Sequence, residues 1–398
     1  LPVSAEWEAE LAPRIARLRR QYFTHRPSVC VERALAYTEV FKETEGEPTV
    51  IRRAKGLKRT CETKTILIQD DELIIGNAGR KPRTGILGPE MSNYWFDKEI
   101  DTLSTRPQDP YIVDEEQKAL FREKIHPYWK GKTVIEHWLR RVPADTRAFG
   151  YETGVIDVEI KTESGPGEIA PGYGEILLPK GWSGIRRWAE ERLAALDPAD
   201  PASEEKGYFL QAVVVTTEAM GILARRHAEA ARELAKTSAP ERAAELERVA
   251  EVCDWIATEP PRTFHEALQL IWFAQFSLMM ELNAPSYSPN RMDQYLLPYY
   301  EADLAAGDLT LELPRYRCHL RFDRCKSVSV LCEHPLVLSW RTVAKCRVPT
   351  ERVVEALDVA EDREARVVAP LEAFALHELG LEGSHEALGG GALVGVSR

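Results

Sequence analysis

The stretch at residues 259–300 constrains the fold more than any other part of the chain. A Pro-Pro pair near its start cannot continue a preceding helix, and Thr263 with Glu266 three residues later forms a capping-box pattern. A helix is therefore predicted to begin near Phe264. At positions 267–282 it is apolar on nearly every side, which predicts a core helix that is buried all round.

The same apolar run could in principle cross a membrane. However, it is only 16 residues long, contains two Gln and has Glu281 near its end. A bilayer span needs about 20 apolar residues. We therefore predict a core helix and no membrane partner.

A polar and aromatic-rich loop follows this helix. Its hydrogen-bonding side chains are Asn283, Ser286, Tyr287, Ser288, Asn290, Arg291, Asp293, Gln294 and Tyr295. Polar groups beside a buried helix must be satisfied by each other or by a ligand. The pattern leaves both a structural turn and direct substrate contact open.

Length, charge and cysteine content limit the class of protein. A chain of 398 residues can form one large domain or two or three smaller ones. The net charge of −11 argues against nucleic acid as the main partner, because phosphate binding needs a basic surface. Seven cysteines without regular pairing, and an N-terminal stretch without a signal-peptide pattern, predict a cytoplasmic location.

Helical periodicity dominates the remaining sequence, and two short strands interrupt it. The strands are predicted at 66–69 and 72–76. The predicted helices cover 7–20, 28–43, 50–61, 134–141, 185–196, 208–236 and 240–258. The pattern is that of a helix-rich α/β protein.

Two further loops carry groups suited to a small-molecule ligand. Glycines precede Arg80 and Arg83 in the basic loop at 76–83, and these cations could grip a carboxylate or pair with acidic helices. The Gly- and Pro-rich loop at 165–181 carries Glu168, and such loops lie at turns or close to ligands.

No metal site is predicted. His126 and His137 have no metal-type partners three or four positions away. Cys318, Cys325 and Cys332 are spaced by seven, whereas zinc sites use close cysteine pairs.

Three segments together resemble the N-terminal half of the pyruvate formate-lyase-like glycyl radical enzymes. They are PSVCVERALAYTEVFKETEGEPTVIRRAKGL at 27–57, IQDDELIIGNAGRKPR at 68–83, and PPRTFHEALQLIWFAQFSLMMELNAPSYSPNRMDQYLLPYYEADL at 260–304. PYWKGKT at 127–133 also fits. The segments have the family's order and spacing.

This resemblance implies a barrel of two half-sheets wrapped in helices, usually in homodimers. In the family, a cysteine loop of the Gly-Cys-x-Glu type and a glycine loop of the Arg-Val-x-Gly type meet inside the barrel. A separate iron–sulfur activating enzyme that uses S-adenosylmethionine installs a glycyl radical there. A closed barrel suits this chemistry because it excludes water and stray hydrogen donors. The resemblance thus implies a protein radical rather than a bound cofactor.

Neither radical motif occurs in this sequence. Cys332 precedes a glutamate but lacks the preceding glycine, and the terminal Gly395 does not lie in an Arg-Val-x-Gly motif. We therefore expect residues 1–310 to form an incomplete barrel. Residues 311–398 are expected to be an unmatched Arg- and Cys-rich tail, such as a shifted reading frame would encode. The chain alone is expected to be an inactive, truncated enzyme without a catalytic residue.

Substrate-binding residues follow from the resemblance. In the family, the loops that match 165–173 and 283–289 lie close to the substrate, which nominates Glu168, Asn283, Ser286, Tyr287 and Ser288. Members that dehydrate diols often have His at the position of Glu168, so a diol substrate is in doubt. Glu168 could accept a hydroxyl proton, pair with a cation or lie at the surface.

Arg80 and Arg83 could hold a substrate carboxylate or form a structural ion pair.

Three hypotheses about the function remain open. The first is a radical lyase, dehydratase or decarboxylase lineage that cleaves a C–C, C–O, C–N or C–S bond in a small polar molecule. The second is a non-catalytic helical scaffold or binding protein derived from that family. The third, an unrelated helical enzyme, predicts no strands at 66–75.

Overall fold

The computed structural model describes residues 13–151, 153, 171–282 and 287–308. The chain divides into the units Leu1–Arg317 and Cys318–Arg398, and all described residues belong to the first. The predicted boundary near residue 310 therefore stays a prediction.

Helices make up most of the described residues. The helices are α1 (Pro13–Thr24), α2 (Glu32–Glu43), α3 (Thr49–Thr63), α4 (Tyr94–Glu99), α5 (Glu115–Leu120), α6 (His126–Trp129), α7 (Val134–Leu139), α8 (Ala144–Thr146), α9 (Leu178–Ala194), α10 (Ser203–Ala235), α11 (Pro240–Ile256), α12 (Phe264–Leu282), α13 (Met292–Tyr295) and α14 (Leu297–Ala306). Three π-helical turns lie at Phe121–Ile125, Arg147–Tyr151 and Tyr173–Leu177.

Two short strands form a parallel pair. Strand β1 (Ser28–Cys30) pairs with β2 (Thr84–Ile86), and Val29 lies opposite Gly85. The chain between them passes through α2 and α3, as a parallel connection requires. The described residues thus confirm a helix-rich protein with a small sheet, while a barrel stays a proposal.

The long helices confirm the predicted periodicity, except that residues 28–30 of the helix predicted at 28–43 form β1, so that α2 begins only at Glu32. The capping box predicted for α12 is present. At the start of α12, the Glu266 N–H donates to Thr263 Oγ1 at 3.2 Å, and the Thr263 N–H donates to the Glu266 carboxylate at 3.3 Å. Thr133 and Glu136 form the same capping box at α7. These helix starts are therefore fixed by local contacts.

The strands predicted at 66–69 and 72–76 are wrong, because side chains rather than a neighbouring strand satisfy this backbone. The Gln269 carboxamide accepts a hydrogen bond from the Ile75 N–H at 2.8 Å and donates one to the Ile75 carbonyl at 2.7 Å. Arg242 donates to two further carbonyls of the segment. Gln269 thus replaces the hydrogen bonds that a strand partner would supply.

The largest hydrophobic core lies between α3, α10, α11 and α12. Helix α10 contributes small side chains, including Ala219, Ala224, Ala228 and Ala231, which are fully buried. Small residues let the backbones of neighbouring helices approach closely. A second core joins α2 to residues 87–129.

Helix α12 is buried less completely than the sequence predicts. Trp272 and Met279 are 37% and 41% exposed, and they lie seven positions apart on one face. The other faces are buried, so the prediction of burial on all sides is wrong only along this narrow strip.

Among the described residues, α10 is the helix that could cross a membrane by length and composition alone. Its small residues are buried against α3, α9 and α11. This packing is that of a core helix in a globular protein.

Candidate functional site

The two loops predicted to face a ligand are tied to the same helix. Residues 173–181 of the predicted Gly-rich loop are helical, since a π-helical turn and the start of α9 lie there. The Tyr173 hydroxyl, at the start of that turn, donates to Gln275 Oε1 on α12 at 2.7 Å. Gln275 Nε2 in turn lies 3.5 Å from the Tyr287 carbonyl, at the long limit of a hydrogen bond. Gln275 therefore joins the described ends of both loops.

Further tyrosine contacts order the polar loop after α12. The Tyr287 hydroxyl donates back to the Leu278 carbonyl at 2.8 Å, and the Tyr295 hydroxyl donates to the Pro289 carbonyl at 2.6 Å. A Cβ placed on Gly174 would lie 2.8 Å from the Tyr295 side chain, so this close approach requires glycine. The three tyrosines and Gln275 form one cluster, which we call the tyrosine cluster (Tyr173, Gln275, Tyr287 and Tyr295).

Burial makes the tyrosines of this cluster weak acids. It raises the pKa of Tyr173 above its ordinary value, and it raises the pKa of both Tyr287 and Tyr295 to about 12. The hydroxyls therefore keep their protons near neutral pH. They can donate hydrogen bonds but cannot act as bases there.

A cavity of about 470 Å³ lies beside the tyrosine cluster. Its walls come from α3, the π-helical turn at Tyr173–Leu177, α9, α10 and α12, and most of the lining side chains are apolar. Arg53 and Glu281 are among its polar lining residues. Volumes of this size are typical of small-molecule sites.

Two of the residues that line the cavity each have a buried polar atom without a partner among the described residues. They are the Ser277 hydroxyl oxygen and the Trp182 indole nitrogen. The indole N–H is only a donor, and a hydroxyl can donate. Both atoms are inaccessible to solvent, so other atoms of these residues form the lining.

A buried charge cluster lies at the C-terminal end of α12. Arg33 from α2 binds both carboxylate oxygens of Glu90, at 2.8 and 2.5 Å. Arg53 from α3 binds the Glu281 carboxylate at 2.6 Å and lies 3.6 Å from Glu90. We call Arg33, Arg53, Glu90 and Glu281 the charge cluster.

Sequence reasoning did not identify the charge cluster. Arg33 is 1% exposed although it is charged, and Glu90 is 7% exposed. Burial disfavours the charge of Glu90, but Arg33 outweighs this effect and holds the pKa of Glu90 below its ordinary value. A signal was available, since Arg33 is followed by four apolar residues at 34–37 in α2.

Arg80 and Arg83, both predicted to bind a substrate carboxylate, have protein partners. Arg80 forms ion pairs with Asp114 at 3.3 Å and Glu116 at 3.2 Å. The Arg83 guanidinium lies 5.0 Å from the centre of the Tyr22 ring. Substrate binding by these two arginines stays a prediction.

The remaining nominated residues are only partly described. Tyr287 belongs to the tyrosine cluster, and Ser288 next to it is exposed. Glu168, Asn283 and Ser286 lie outside the described residues. Their roles stay predictions.

The described cysteines are Cys30, Cys61 and Cys253, and all three are free and buried. Burial raises the pKa of each thiol, to about 12 at Cys61. None of the three follows a glycine in the sequence.

Comparisons with known proteins identify the relatives of this chain. Residues 6–313 match the family described as pyruvate formate lyase-like. The chain is 38% identical over 305 residues to the isethionate sulfite-lyase of Nitratidesulfovibrio vulgaris, a match that covers 75% of this chain. It is 31% identical over 300 residues to the trans-4-hydroxy-L-proline dehydratase of Clostridioides difficile, with 74% of this chain covered.

Solved structures agree with these matches. The glycerol-bound B12-independent glycerol dehydratase from Clostridium butyricum superposes with a TM-score of 0.69 at 37% identity, over 73% of this chain. Each of the three matches covers 37% of the other protein. The chain thus spans little more than a third of the length of these relatives.

Proposed function

Since the chain belongs to the pyruvate formate lyase-like family of glycyl radical enzymes, we propose that it forms the substrate-facing N-terminal part of a lyase or dehydratase. The proposed substrate is a small polar organic molecule with acceptor oxygens. The proposed reaction is radical cleavage of one C–C, C–O, C–N or C–S bond.

The observation that carries this proposal is the bridge from Tyr173 through Gln275 to Tyr287. It ties together the described ends of the two loops for which the family resemblance implies substrate contact. The names of the relatives support a small polar substrate, since these proteins act on isethionate and on trans-4-hydroxy-L-proline. A fixed pair of loops is what a site for a small substrate needs.

In this proposal the tyrosine cluster holds the two loops in position and takes no part in acid–base chemistry. Its hydroxyls stay protonated near neutral pH, and those of Tyr173 and Tyr287 donate to protein oxygens. The apolar walls of the cavity would limit the access of water.

A glycyl radical and its partner cysteine cannot be assigned to the described residues. The three described cysteines are buried and none follows a glycine. No reaction step is therefore assigned to them. Activation by an S-adenosylmethionine-dependent enzyme, a homodimer and a cytoplasmic location remain proposals that rest on the family.

Ligand binding tests the proposed site. We propose to titrate the chain with isethionate, trans-4-hydroxy-L-proline, glycerol and 1,2-propanediol, using saturation-transfer NMR. At least one should bind. Tyr173→Phe should weaken that binding about fivefold, because one neutral hydrogen bond contributes about 1 kcal/mol.

Tyr128→Phe is a matched control, because it also removes one hydroxyl that donates to a carbonyl, that of Phe41 at 3.1 Å. This tyrosine lies in the second core, away from the tyrosine cluster. It should leave binding unchanged. Absence of binding by all four compounds at millimolar concentration, or equal weakening by both substitutions, would contradict the proposal.

A chimera tests whether the chain belongs to an enzyme or to a scaffold. Residues 13–308 would replace the aligned part of N. vulgaris isethionate sulfite-lyase, and the protein would be activated without oxygen. A glycyl radical signal in electron paramagnetic resonance and sulfite release from isethionate would support the enzyme. A folded chimera that carries the radical but never turns over would favour the scaffold.

A further inference from the structure

Helix α1 and the residues just after it are strongly basic. Residues 13–26 contain five arginines and no aspartate or glutamate, although the whole chain has a net charge of −11. Arg14 pairs with Glu245. Arg17 donates to both carboxylate oxygens of Asp71, each at 2.6 Å. The charges of these two arginines are therefore neutralised within the protein, and the pairs dock α1 on the rest of the chain.

A second set of side chains on this segment has no such carboxylates. Positions 19, 22, 23 and 26 are separated by three, one and three residues, which is the spacing of one helical face. The guanidinium carbon of Arg19 lies 4.8 Å from the centre of the Phe23 ring. Arg26 Nη2 donates to the Ser104 carbonyl at 3.4 Å. Among the described residues, neither arginine has a carboxylate partner.

Arg83 joins this face from the parallel strand pair. Its carbonyl accepts a hydrogen bond from the Ser28 N–H of β1 at 2.9 Å, which fixes the backbone just before β2. Arg83 Nη1 donates to the His25 carbonyl at 3.3 Å, and the guanidinium carbon lies 5.0 Å from the centre of the Tyr22 ring. The contacts of Arg83 within the described part of the chain are thus to a carbonyl and to aromatic rings.

Two exposed aromatic rings lie between these arginines. Tyr22 and Phe23 are 49% and 56% exposed, and their ring centres are 5.2 Å apart in an edge-to-face arrangement. Arginine and aromatic side chains are the types enriched at the centres of protein interfaces. We call Arg19, Tyr22, Phe23, Arg26 and Arg83 the arginine patch.

The guanidinium groups of the arginine patch keep most of their donors available. Each guanidinium has five N–H donors. Arg26 and Arg83 each use one of them on a carbonyl, and the contact of Arg19 is to a ring face. The remaining donors can bind a carboxylate two at a time. The rings also restrain two of the guanidinium groups, so less side-chain freedom is lost when an anion binds.

We propose that the arginine patch is a docking surface for a carboxylate-rich segment of a partner protein. Acidic side chains of that segment would pair with the three arginines, and an apolar side chain would cover the two rings. Charge complementarity favours this partner, because three cations without carboxylates lie close together on an acidic protein. Nucleic acid fits less well, since a net charge of −11 repels a polyphosphate. None of the patch residues lines the cavity beside the tyrosine cluster, so the proposal does not depend on the proposed function.

Calorimetric titration of the full chain tests this surface. The probe is a synthetic peptide in which pairs of glutamates alternate with one tyrosine or leucine. The peptide should bind, and binding should weaken as salt rises from about 20 to about 200 mM, because exposed charges are screened. Arg19→Gln combined with Arg83→Gln should weaken binding about tenfold, since two exposed ion pairs are lost together.

A second variant separates docking from simple charge attraction. Tyr22→Ser combined with Phe23→Ser keeps every charge but removes both rings. It should bind the peptide about fivefold more weakly, because the apolar contact and the support of two guanidinium groups are lost. Both rings are exposed, so this variant should keep the wild-type melting temperature even if the arginine variant does not.

Arg140→Gln combined with Arg192→Gln is the matched control. Arg140 donates to the Gly131 carbonyl at 2.7 Å, and the Arg192 guanidinium carbon lies 4.4 Å from the centre of the Trp188 ring. These exposed arginines thus have the same kinds of contact outside the patch. The control changes the net charge equally and should leave peptide affinity at the wild-type value.

Absence of peptide binding at the lower salt concentration, or equal weakening in the patch and control variants, would overturn the proposal. Unchanged affinity in the ring variant would also overturn it, because the patch would then attract anions without docking a partner. Oligothymidine and phosphatidylserine vesicles are titrated in parallel. If either binds through the patch more tightly than the peptide does, a protein partner is rejected.

Discussion

His227 gives this protein a specific pH dependence of stability. The residue lies in α10 and is fully buried. Its Nδ1 is 2.8 Å from the Leu223 carbonyl, so Nδ1 carries the proton, and Nε2 has no partner among the described residues. The rings of Phe273 and Phe276 lie 4.8 and 6.3 Å away, between ring centres.

This apolar site disfavours the charged imidazolium. Burial lowers the pKa of His227 to about 3, and the nearby cations Lys64 and Arg226 act in the same direction. In the unfolded chain the pKa returns to about 6.5. Above that pH the side chain is neutral in both states. As the pH falls below it, only the unfolded state takes up a proton, so stability is lost progressively toward pH 3.

The expected size follows from the two pKa values. At pH 5 the unfolded state is favoured by about 2 kcal/mol relative to pH 7 through this one group. Urea unfolding at both pH values should therefore show a larger loss of stability in the wild type than in His227→Leu, by about 2 kcal/mol. The leucine variant removes the titrating group and keeps the site apolar.

His137→Leu provides the control, because His137 is exposed on α7. Its loss should leave the pH dependence close to that of the wild type. If His227→Leu and the wild type lose the same stability between pH 7 and pH 5, the imidazole is accessible to protons in the folded state. The account of the core around α10 would then be wrong.

Three further predictions concern single backbone contacts. Gly181→Ala should lower the free energy of unfolding by about 3 kcal/mol or more in urea titrations. Gly181 has φ 58° and ψ −179°, and an added Cβ would lie 2.6 Å from the Pro260 nitrogen. An unchanged urea midpoint would contradict this prediction. Gln269→Leu should increase hydrogen exchange at the Ile75 amide at least tenfold, because this amide loses its buried acceptor. Equal exchange in the variant and the wild type would show that Gln269 does not protect this amide. Thr133→Ala should lower the free energy of unfolding by about 1 kcal/mol in thermal unfolding, because the N-cap of α7 is lost. An unchanged melting temperature would show that the cap does not stabilise the protein.

The sequence by itself determined most of the long helices and the family. The start of α12 was predictable because Thr263 and Glu266 are three positions apart and contact each other locally. The order of the matching segments along the sequence indicates the family.

Tertiary structure decided the partners of the polar groups. The sequence at 66–76 has the composition of strands, but Gln269 satisfies Ile75 from 194 positions away. Arg33 reaches the Met280 carbonyl from 247 positions away, so no local pattern could show that it contacts the end of α12. Hydrogen bonds and ion pairs depend on distance and angle in space, whereas helical periodicity depends on neighbours along the chain. For that reason the helices could be read from the sequence, and the tyrosine and charge clusters could be found only in the folded chain.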